Sequence, residues 1–363
     1  MKHWLKHQLK RRDFLKYLGV GLSGPAIKNI FTFKNKSVEN LISLVEPPDG
    51  VIPGIPNWYA SVCRQCSAGC GIHVKILEGR AKKIEGSPDF PVNYGKVCAR
   101  GQAGLQTLYN PDRIDGPQLK EDGEFKKISW AEGLSIAAAR LKHVKDNDEQ
   151  SKIVFLTQPV RGTLGKLLSD FSEGLGADLN SYDFMSDDGL TKANQEAFGE
   201  DRFANYDIAN AEYILSFGAN FLDTWETPVK HSVGFGRMRD TTIGKAGDRG
   251  WLVHFEPRLS VTGASADEWF PIKAGTEGLL ALAMAHEIVN EHLFDRSLDI
   301  DVKKWKNALE GYKPETVSKR TGVPKKKIKS VAHEFTTREH TLALCGGQAT
   351  AQVDGTANAM AAN

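Results

Sequence analysis

Four of the five cysteines in this chain of 363 residues, Cys63, Cys66, Cys70 and Cys98, lie between Tyr59 and Arg100. Their spacing is C-x2-C-x3-C followed, after 27 intervening residues, by the fourth. Thiolates are soft donors, and a set of four suits either structural zinc or an iron-sulfur cluster. Zinc ribbons usually pair two short cysteine knuckles, whereas Cys98 has no second Cys or His beside it. A three-plus-one arrangement suits a cubane, whose four corners take ligands at unequal sequence distances. It is not the bacterial ferredoxin run, since Gly71 rather than a proline follows Cys70. Disulfides are permitted in an exported chain, although Cys63 and Cys66 are too close for an ordinary structural pair. The spacing therefore favours a 4Fe-4S cluster, with zinc and disulfides as alternatives. Cys345 stands apart in an apolar segment and is expected to be a buried core residue.

Around these cysteines run Val62-Cys63-Arg64-Gln65-Cys66-Ser67-Ala68-Gly69-Cys70-Gly71, then Gly79-Arg80 and Lys83-Ile84-Glu85-Gly86, then Gly95-Lys96-Val97-Cys98-Ala99-Arg100-Gly101. This succession resembles the N-terminal domain of the molybdopterin oxidoreductases, the bis-molybdopterin guanine dinucleotide enzymes that include formate dehydrogenases, periplasmic nitrate reductases, and polysulfide and tetrathionate reductases. The resemblance extends over nearly the whole chain. It implies a 4Fe-4S cluster on Cys63, Cys66, Cys70 and Cys98, and bis-molybdopterin guanine dinucleotide carrying Mo or W. Arg100 falls where the family places a Lys or Arg between cluster and pterin, as an electron relay whose fixed charge tunes potentials. Gly218-Ala219-Asn220, Glu256-Pro257-Arg258 and Gly275-Thr276-Glu277 match segments that hold one dinucleotide arm. Gly218, Asn220, Glu256, Arg258, Gly275, Thr276 and Glu277 are thus the expected cofactor-binding residues. Glu256 and Glu277 stand where the family commonly has Asp, one methylene shorter. The family's metal ligand, a Cys, selenocysteine, Ser or Asp ahead of a helix, corresponds to Met185-Ser186-Asp187-Asp188-Gly189. No cysteine is present there, so Ser186, Asp187 and Asp188 are the candidates, and their alternative role is to cap the helix that follows.

The elements that must position these groups can be read along the chain. Ile72–Leu77 and Ala81–Glu85, separated by a tight turn, predict two strands of a small β-rich platform. Gln102–Tyr109 predicts a short helix after the last cysteine. Ser129, with Glu132 three residues on, marks the start of a helix running to about Val144. From Lys152 strand and helix patterns alternate, predicting an α/β domain with a largely parallel sheet. Strands are expected at Ile153–Thr157, Tyr213–Phe217, Trp251–Phe255 and Thr341–Cys345. Helices are expected at Thr163–Leu175, Leu190–Phe198, Gly278–Val289, Val302–Leu309, Lys313–Thr321 and Lys325–Glu334. The fold class is α/β, a small 4Fe-4S domain over 58–118 followed by a doubly wound, largely parallel dinucleotide-binding region over 119–363.

Composition is ordinary for a globular protein, at 40% hydrophobic and 25% charged residues. A net charge of +2, from 47 basic and 45 acidic residues, gives no surplus for nucleic acid. Residues 1–30 differ in character, with Lys10-Arg11-Arg12-Asp13-Phe14-Leu15-Lys16 leading into a mildly apolar run. This predicts a twin-arginine export signal, followed by a proline-containing linker over 31–57. Gly19-Val20-Gly21-Leu22-Ser23-Gly24 spells a dinucleotide fingerprint without the βαβ unit that would make it one. Gly346-Gly347-Gln348 and the residues from Ala357 read as a helix opening without a stop signal, which predicts the N-terminal part of a longer protein.

Together these readings predict part of the large subunit of an exported molybdenum or tungsten oxidoreductase, periplasmic or on the outer face of the cytoplasmic membrane. The cluster would pass electrons between the pterin and a ferredoxin-like iron-sulfur subunit, with a membrane quinone-reactive subunit as a further partner. The alternative is a molybdenum-free relative, an electron conduit or scaffold in a quinone-linked respiratory complex; Phe217-Gly218-Ala219-Asn220-Phe221-Leu222-Asp223-Thr224-Trp225 resembles that branch as well. A third reading, a zinc-stabilised binding module, is separated from both by iron analysis.

Overall fold

The computed structural model describes residues 50–147, 152–184, 187–242, 249–295, 297 and 299–363. The expected export signal, most of the linker, and Met185 and Ser186 lie outside the described residues. The elements below belong to one compact unit, Pro53–Asn363.

Three antiparallel strands come first, β1 (Asn57–Val62), β2 (Gly71–Leu77) and β3 (Arg80–Gly86), in the order β1-β2-β3. The β2–β3 turn has φ of 50° at Glu78 and 78° at Gly79. Two successive left-handed residues are the twist-matched turn of a tight hairpin. Helix α1 (Ala99–Leu108) packs on β3, with the Tyr109 hydroxyl accepting a hydrogen bond from Ala81 N at 2.7 Å. It begins three residues before the expected start, directly after Cys98. A second hairpin, β4 (Gln118–Glu121) and β5 (Glu124–Lys127), turns through Asp122 and Gly123. Helix α2 (Trp130–Asp146) follows, and Ser129 caps it by accepting from Glu132 N at 3.2 Å, as its sequence predicts.

The α/β region contains two sheets. Strand β6 (Val154–Thr157) pairs in parallel with β7 (Asp178–Ser181) across helix α3 (Gly162–Leu175), as a separate ladder. The sequence pattern predicts one largely parallel sheet, and β6 lies outside the main one. The main sheet is wholly parallel, in the order β10-β9-β8-β11, where β8 is Tyr213–Phe217, β9 Trp251–Glu256, β10 Glu268–Pro271 and β11 Thr341–Cys345. Every residue of β8 is buried, which is why it reads as a continuous run rather than an alternation. Phe217, Phe255 and Phe270 stack across three strands at ring-centroid distances of 5.4 Å and 5.4 Å, each pair adding about 1 kcal/mol beyond its burial.

Helices α4 (Asp188–Phe198), α5 (Pro228–Met238) and the one-turn α6 (Val261–Ala264) accompany the sheet. Helix α7 (Glu277–Asn290) is its apolar hub, packed on β8 and on α8 (Val302–Leu309), α9 (Pro314–Thr321), α10 (Lys325–Thr337) and α11 (Gly355–Ala362). Sequence reasoning missed α5, although Thr227-Pro228 carries the signature of proline in a first helical turn. It also missed β1, β7 and β10, each of six residues or fewer and without clear alternation.

The winding decides where a ligand can sit. From β8 the chain moves outward through β9 and β10, then returns to lay β11 on the opposite flank of β8. The β8/β11 boundary is therefore the switch point, and a crevice opens outside the carboxyl ends of those two strands.

Candidate functional site

The three-cysteine loop is the connection between two paired strands. Val62 and Gly71 face each other in the β1–β2 register, so Cys63 to Cys70 bulges from the end of the ladder. A 2.8 Å bond from Cys63 N to Cys70 O closes its neck, and Gly69 turns it at φ 63°. Cys98 is the N-cap residue of α1, where unsatisfied helix N–H groups favour negative charge.

What joins the loop to Cys98 is Asn93, whose side chain is completely buried. Its Oδ1 accepts from Gly71 N at 2.9 Å, and its Nδ2 donates to Gly71 O at 2.9 Å and to Lys96 O at 2.6 Å. One amide thus clamps the strand after Cys70 to the turn before Cys98. Glycine is required nearby for space: a Cβ on Gly86 would lie 2.4 Å from Gly95 C, and one on Gly71 2.3 Å from Phe90 Cγ. Nothing in the local sequence marks the Asn93 clamp, because its partners are backbone atoms 22 and three residues away.

Burial, reinforced by neighbouring Cys63, Cys66 and Cys98, pushes the Cys70 thiol up to about 11. Burial likewise raises Cys63, with Cys66 and Cys98 adding to it, while the Gln65 backbone and Arg100 pull the other way. The four thiols sense one another electrostatically. Among the described residues no three His, Cys, Asp or Glu side chains converge as they would on a single ion. Cys63 and Cys70, costly as lone thiolates, suit a cluster that supplies positive charge beside them.

Arg100 reaches from this cradle to the ring of Phe184, its guanidinium carbon 5.5 Å from the centroid. Phe184 lines two cavities. One, of ≈ 470 Å³, borders the cysteine loop through Cys63 and Cys66 and is lined on its other side by Arg161 and Tyr182. The other, of ≈ 550 Å³, is the switch-point crevice, lined by Asp187, Asp188, Asn220, Trp225, Gly347 and Thr350 among others. Arg100 therefore stands at the junction between cluster cradle and crevice.

The expected cofactor residues divide between the crevice and the interior. Gly218 has φ 70°, and a Cβ there would press on Ala349 at 3.0–3.1 Å. Asn220 lies on the crevice wall with its amide donating to Thr224 Oγ1 at 2.7 Å. Arg258 is exposed beyond β9. Gly275 turns at φ 79° ahead of Thr276, whose hydroxyl donates to Lys273 O at 2.5 Å. Glu256 points inward, accepting from Ser260 N at 2.6 Å and lying 3.3 Å from His254 Nε2. Burial would raise its carboxyl, but the contacts with His254 and Ser260 hold it below the usual range. The structure thus commits Glu256 to its own loop rather than to the crevice. Glu277 is wholly buried in the first turn of α7, with neither carboxylate oxygen hydrogen-bonded among the described residues. Gly347 and Thr350, which sequence reasoning passed over, come to the crevice because β11 is the neighbour of β8.

Of the metal-ligand candidates, Asp187 is fully engaged. Its Oδ1 accepts from Leu190 N at 3.1 Å as the helix cap. Its Oδ2 accepts from Thr350 Oγ1 at 2.7 Å, Trp225 Nε1 at 3.1 Å and Gly347 N at 3.2 Å. Asp187 fastens α4, the turn after β8 and the turn after β11 together, so the capping role accounts for it. Asp188, beside it, is exposed at the crevice.

Residues 56–110 match the family described as Molybdopterin oxidoreductase Fe4S4 domain, and residues 113–363 the family described as Molybdopterin oxidoreductase. A menaquinone reductase molybdopterin-binding-like subunit of Nitratidesulfovibrio vulgaris is 28% identical over 94% of this chain and 48% of its own length. The molybdopterin-containing subunit of an arsenate respiratory reductase from Shewanella is 27% identical over 92% of this chain and 42% of its own. The chain thus spans less than half the length of these relatives. Acetylene hydratase from Pelobacter acetylenicus shares the fold, with a TM-score of 0.65, 20% identity, and coverage of 84% of this chain and 42% of that one.

Proposed function

The chain belongs to the molybdopterin oxidoreductase family, and from that premise we propose that it forms the cluster-bearing, N-terminal part of the large subunit of an exported molybdenum or tungsten oxidoreductase. A 4Fe-4S cluster, when bound, supplies one-electron transfer. Cys63, Cys66, Cys70 and Cys98 would hold it, and Asn93 keeps the loop and the lone fourth thiol in register. The observation that carries this reading is the position of Arg100, which runs from the thiol cradle to Phe184 at the edge of the crevice. Its charge favours the arrival of an electron on either side. The crevice residues Asn220 and Gly347 lie where the turns after β8 and β11 meet, the switch point at which a dinucleotide arm would be held. A ferredoxin-like subunit is the proposed electron partner, with a quinone-reactive membrane subunit beyond it. Among the described residues no helix is long and apolar enough to cross a membrane.

A second reading has two observations in its favour, the saturation of Asp187 by four donors and the likeness to a molybdopterin-binding-like menaquinone reductase subunit. On this reading the subunit conducts electrons without molybdenum. Elemental analysis of the protein isolated with its partner subunits separates the two. Iron with molybdenum or tungsten supports the enzyme, iron alone supports the conduit, and absence of iron overturns both.

A further inference from the structure

A cluster of ionisable groups lies behind the crevice and takes no part in the site described above. The indole of Trp225, which lines the crevice and donates to Asp187, is flanked by two rings: Tyr206 at 5.3 Å and His231 at 5.4 Å between centroids. The next residue, Glu226, has φ 49°, a left-handed conformation that a non-glycine residue holds only when its surroundings enforce it. That turn buries its carboxyl. The side chain is 7% exposed, Oε1 has no hydrogen-bond partner among the described residues, and Oε2 lies 3.7 Å from His231 Nε2. His231, 4% exposed, also lines a separate cavity of ≈ 680 Å³ with Tyr206 and Lys230, whose rim residues Asn205, Asp207 and Asn210 are exposed. The imidazole therefore borders the outer cavity, which is open to solvent past Asn205, and the acid directly follows Trp225, which borders the crevice.

We propose that Glu226 and His231 form a proton-exchange pair that carries protons from the Tyr206–Lys230 cavity to the crevice beside Trp225 and Asp187. The carboxyl of Glu226 releases its proton toward the crevice as one O–H bond breaks. It takes a replacement from His231, whose imidazole draws one from water in the outer cavity. One proton enters for each that leaves, and nothing in the pair is oxidised or reduced. Asp267 has two guanidinium groups against its carboxylate, from Arg239 and Arg249, whereas Glu226 keeps one oxygen unbonded among the described residues.

The charges around the pair support this. Burial and the negative charge of Asp187 push Glu226 up to about 8, with Lys230 opposing. Burial and the positive charge of Lys230 push His231 down to about 4, with the Trp225 backbone opposing. Tyr206 is raised by burial, by Glu226 and Asp187, and by Cys345 of β11, so it stays a neutral phenol. Near neutrality the acid holds a proton and the imidazole is neutral, with Nε2 between Thr227 Oγ1 at 3.4 Å and Glu226 Oε2 at 3.7 Å and with Nδ1 unbonded among the described residues, the resting state a relay needs. Delivery to a bound cofactor rests on the reading under Proposed function; exchange across the pair does not, and the test addresses exchange alone.

The test is infrared spectroscopy of the carboxyl stretch in the full chain. A protonated-carboxyl band present at pH 7, titrating near pH 8, absent in Glu226→Gln, and shifting promptly on mixing into D2O is the expected result. His231→Phe should slow that shift by at least about tenfold. Absence of the band at pH 7, its survival in Glu226→Gln, a wild-type band that fails to shift in D2O, or an unchanged exchange rate in His231→Phe overturns the proposal. A carboxyl buried for structure alone gives the third of these results, and that measurement needs no variant to fold.

Discussion

Asp187 and Asp188 are adjacent, equally acidic in sequence, and differently employed. Asp187 accepts four hydrogen bonds from groups on three segments, whereas Asp188 is exposed at the crevice. Removing the Asp187 carboxylate strips a helix cap and leaves Trp225 Nε1 and the Thr350 hydroxyl to find other partners. Asp187→Ala should therefore destabilise the protein by about 3 kcal/mol, read by denaturant unfolding. Asp188→Ala should leave stability within about 0.5 kcal/mol. If the larger loss instead fell on Asp188, the capping assignment would be wrong. The thiols separate in the same way. Cys98→Ser should abolish or sharply reduce visible iron-sulfur absorption, while Cys345→Ala should leave it intact, because Cys345 is buried in β11 away from the cradle. Loss of the chromophore in the Cys345 variant would sink the ligand assignment.

At the scale of elements, the cluster cradle is a strand connection and a helix start, held in register by one amide. Asn93 makes three hydrogen bonds to backbone in a fully buried position. Asn93→Ala deletes all three and leaves Gly71 N without that partner, a cost of about 2–4 kcal/mol. Because the clamp lies between Cys70 and Cys98, the variant should also lose iron faster to a chelator than Asn110→Ala, whose side chain accepts from the exposed Asp112 N. Equal rates would show that the register is set elsewhere. The strongly patterned elements, β2, β3, β8 and the long apolar α7, were legible in the sequence. Short strands such as β7 and β10 were not, since parallel pairing stabilises them through neighbours remote in sequence.

At the scale of the whole molecule, the main sheet brings the turns after β8 and β11 together, and the crevice they form lies beside the cluster cradle through Phe184 and Arg100. A protein with a cluster and a large cofactor gains from an export route that carries it already folded. Replacing Arg11 and Arg12 by Lys should therefore hold the protein in the cytoplasm, as fractionation and immunoblotting would detect. Undiminished delivery of the double variant would show that the pair is not an address.

The amino-acid sequence by itself determined the kinds of chemistry available: four thiols in a three-plus-one spacing, glycines after strands, Asp-Asp ahead of a helix, and the α/β alternation. These are local, since ligand spacing, turn glycines and hydrophobic periodicity act over a few residues. Only the tertiary structure decided which groups face a ligand. It turned Glu256 into its own loop, saturated Asp187 with donors from residues as far along the chain as Thr350, and drew Gly347 to the crevice. It also buried Glu226 against His231. Each of those outcomes depends on desolvation and on hydrogen bonds between segments that meet only because β11 returns to the far flank of β8, a placement set by long-range packing.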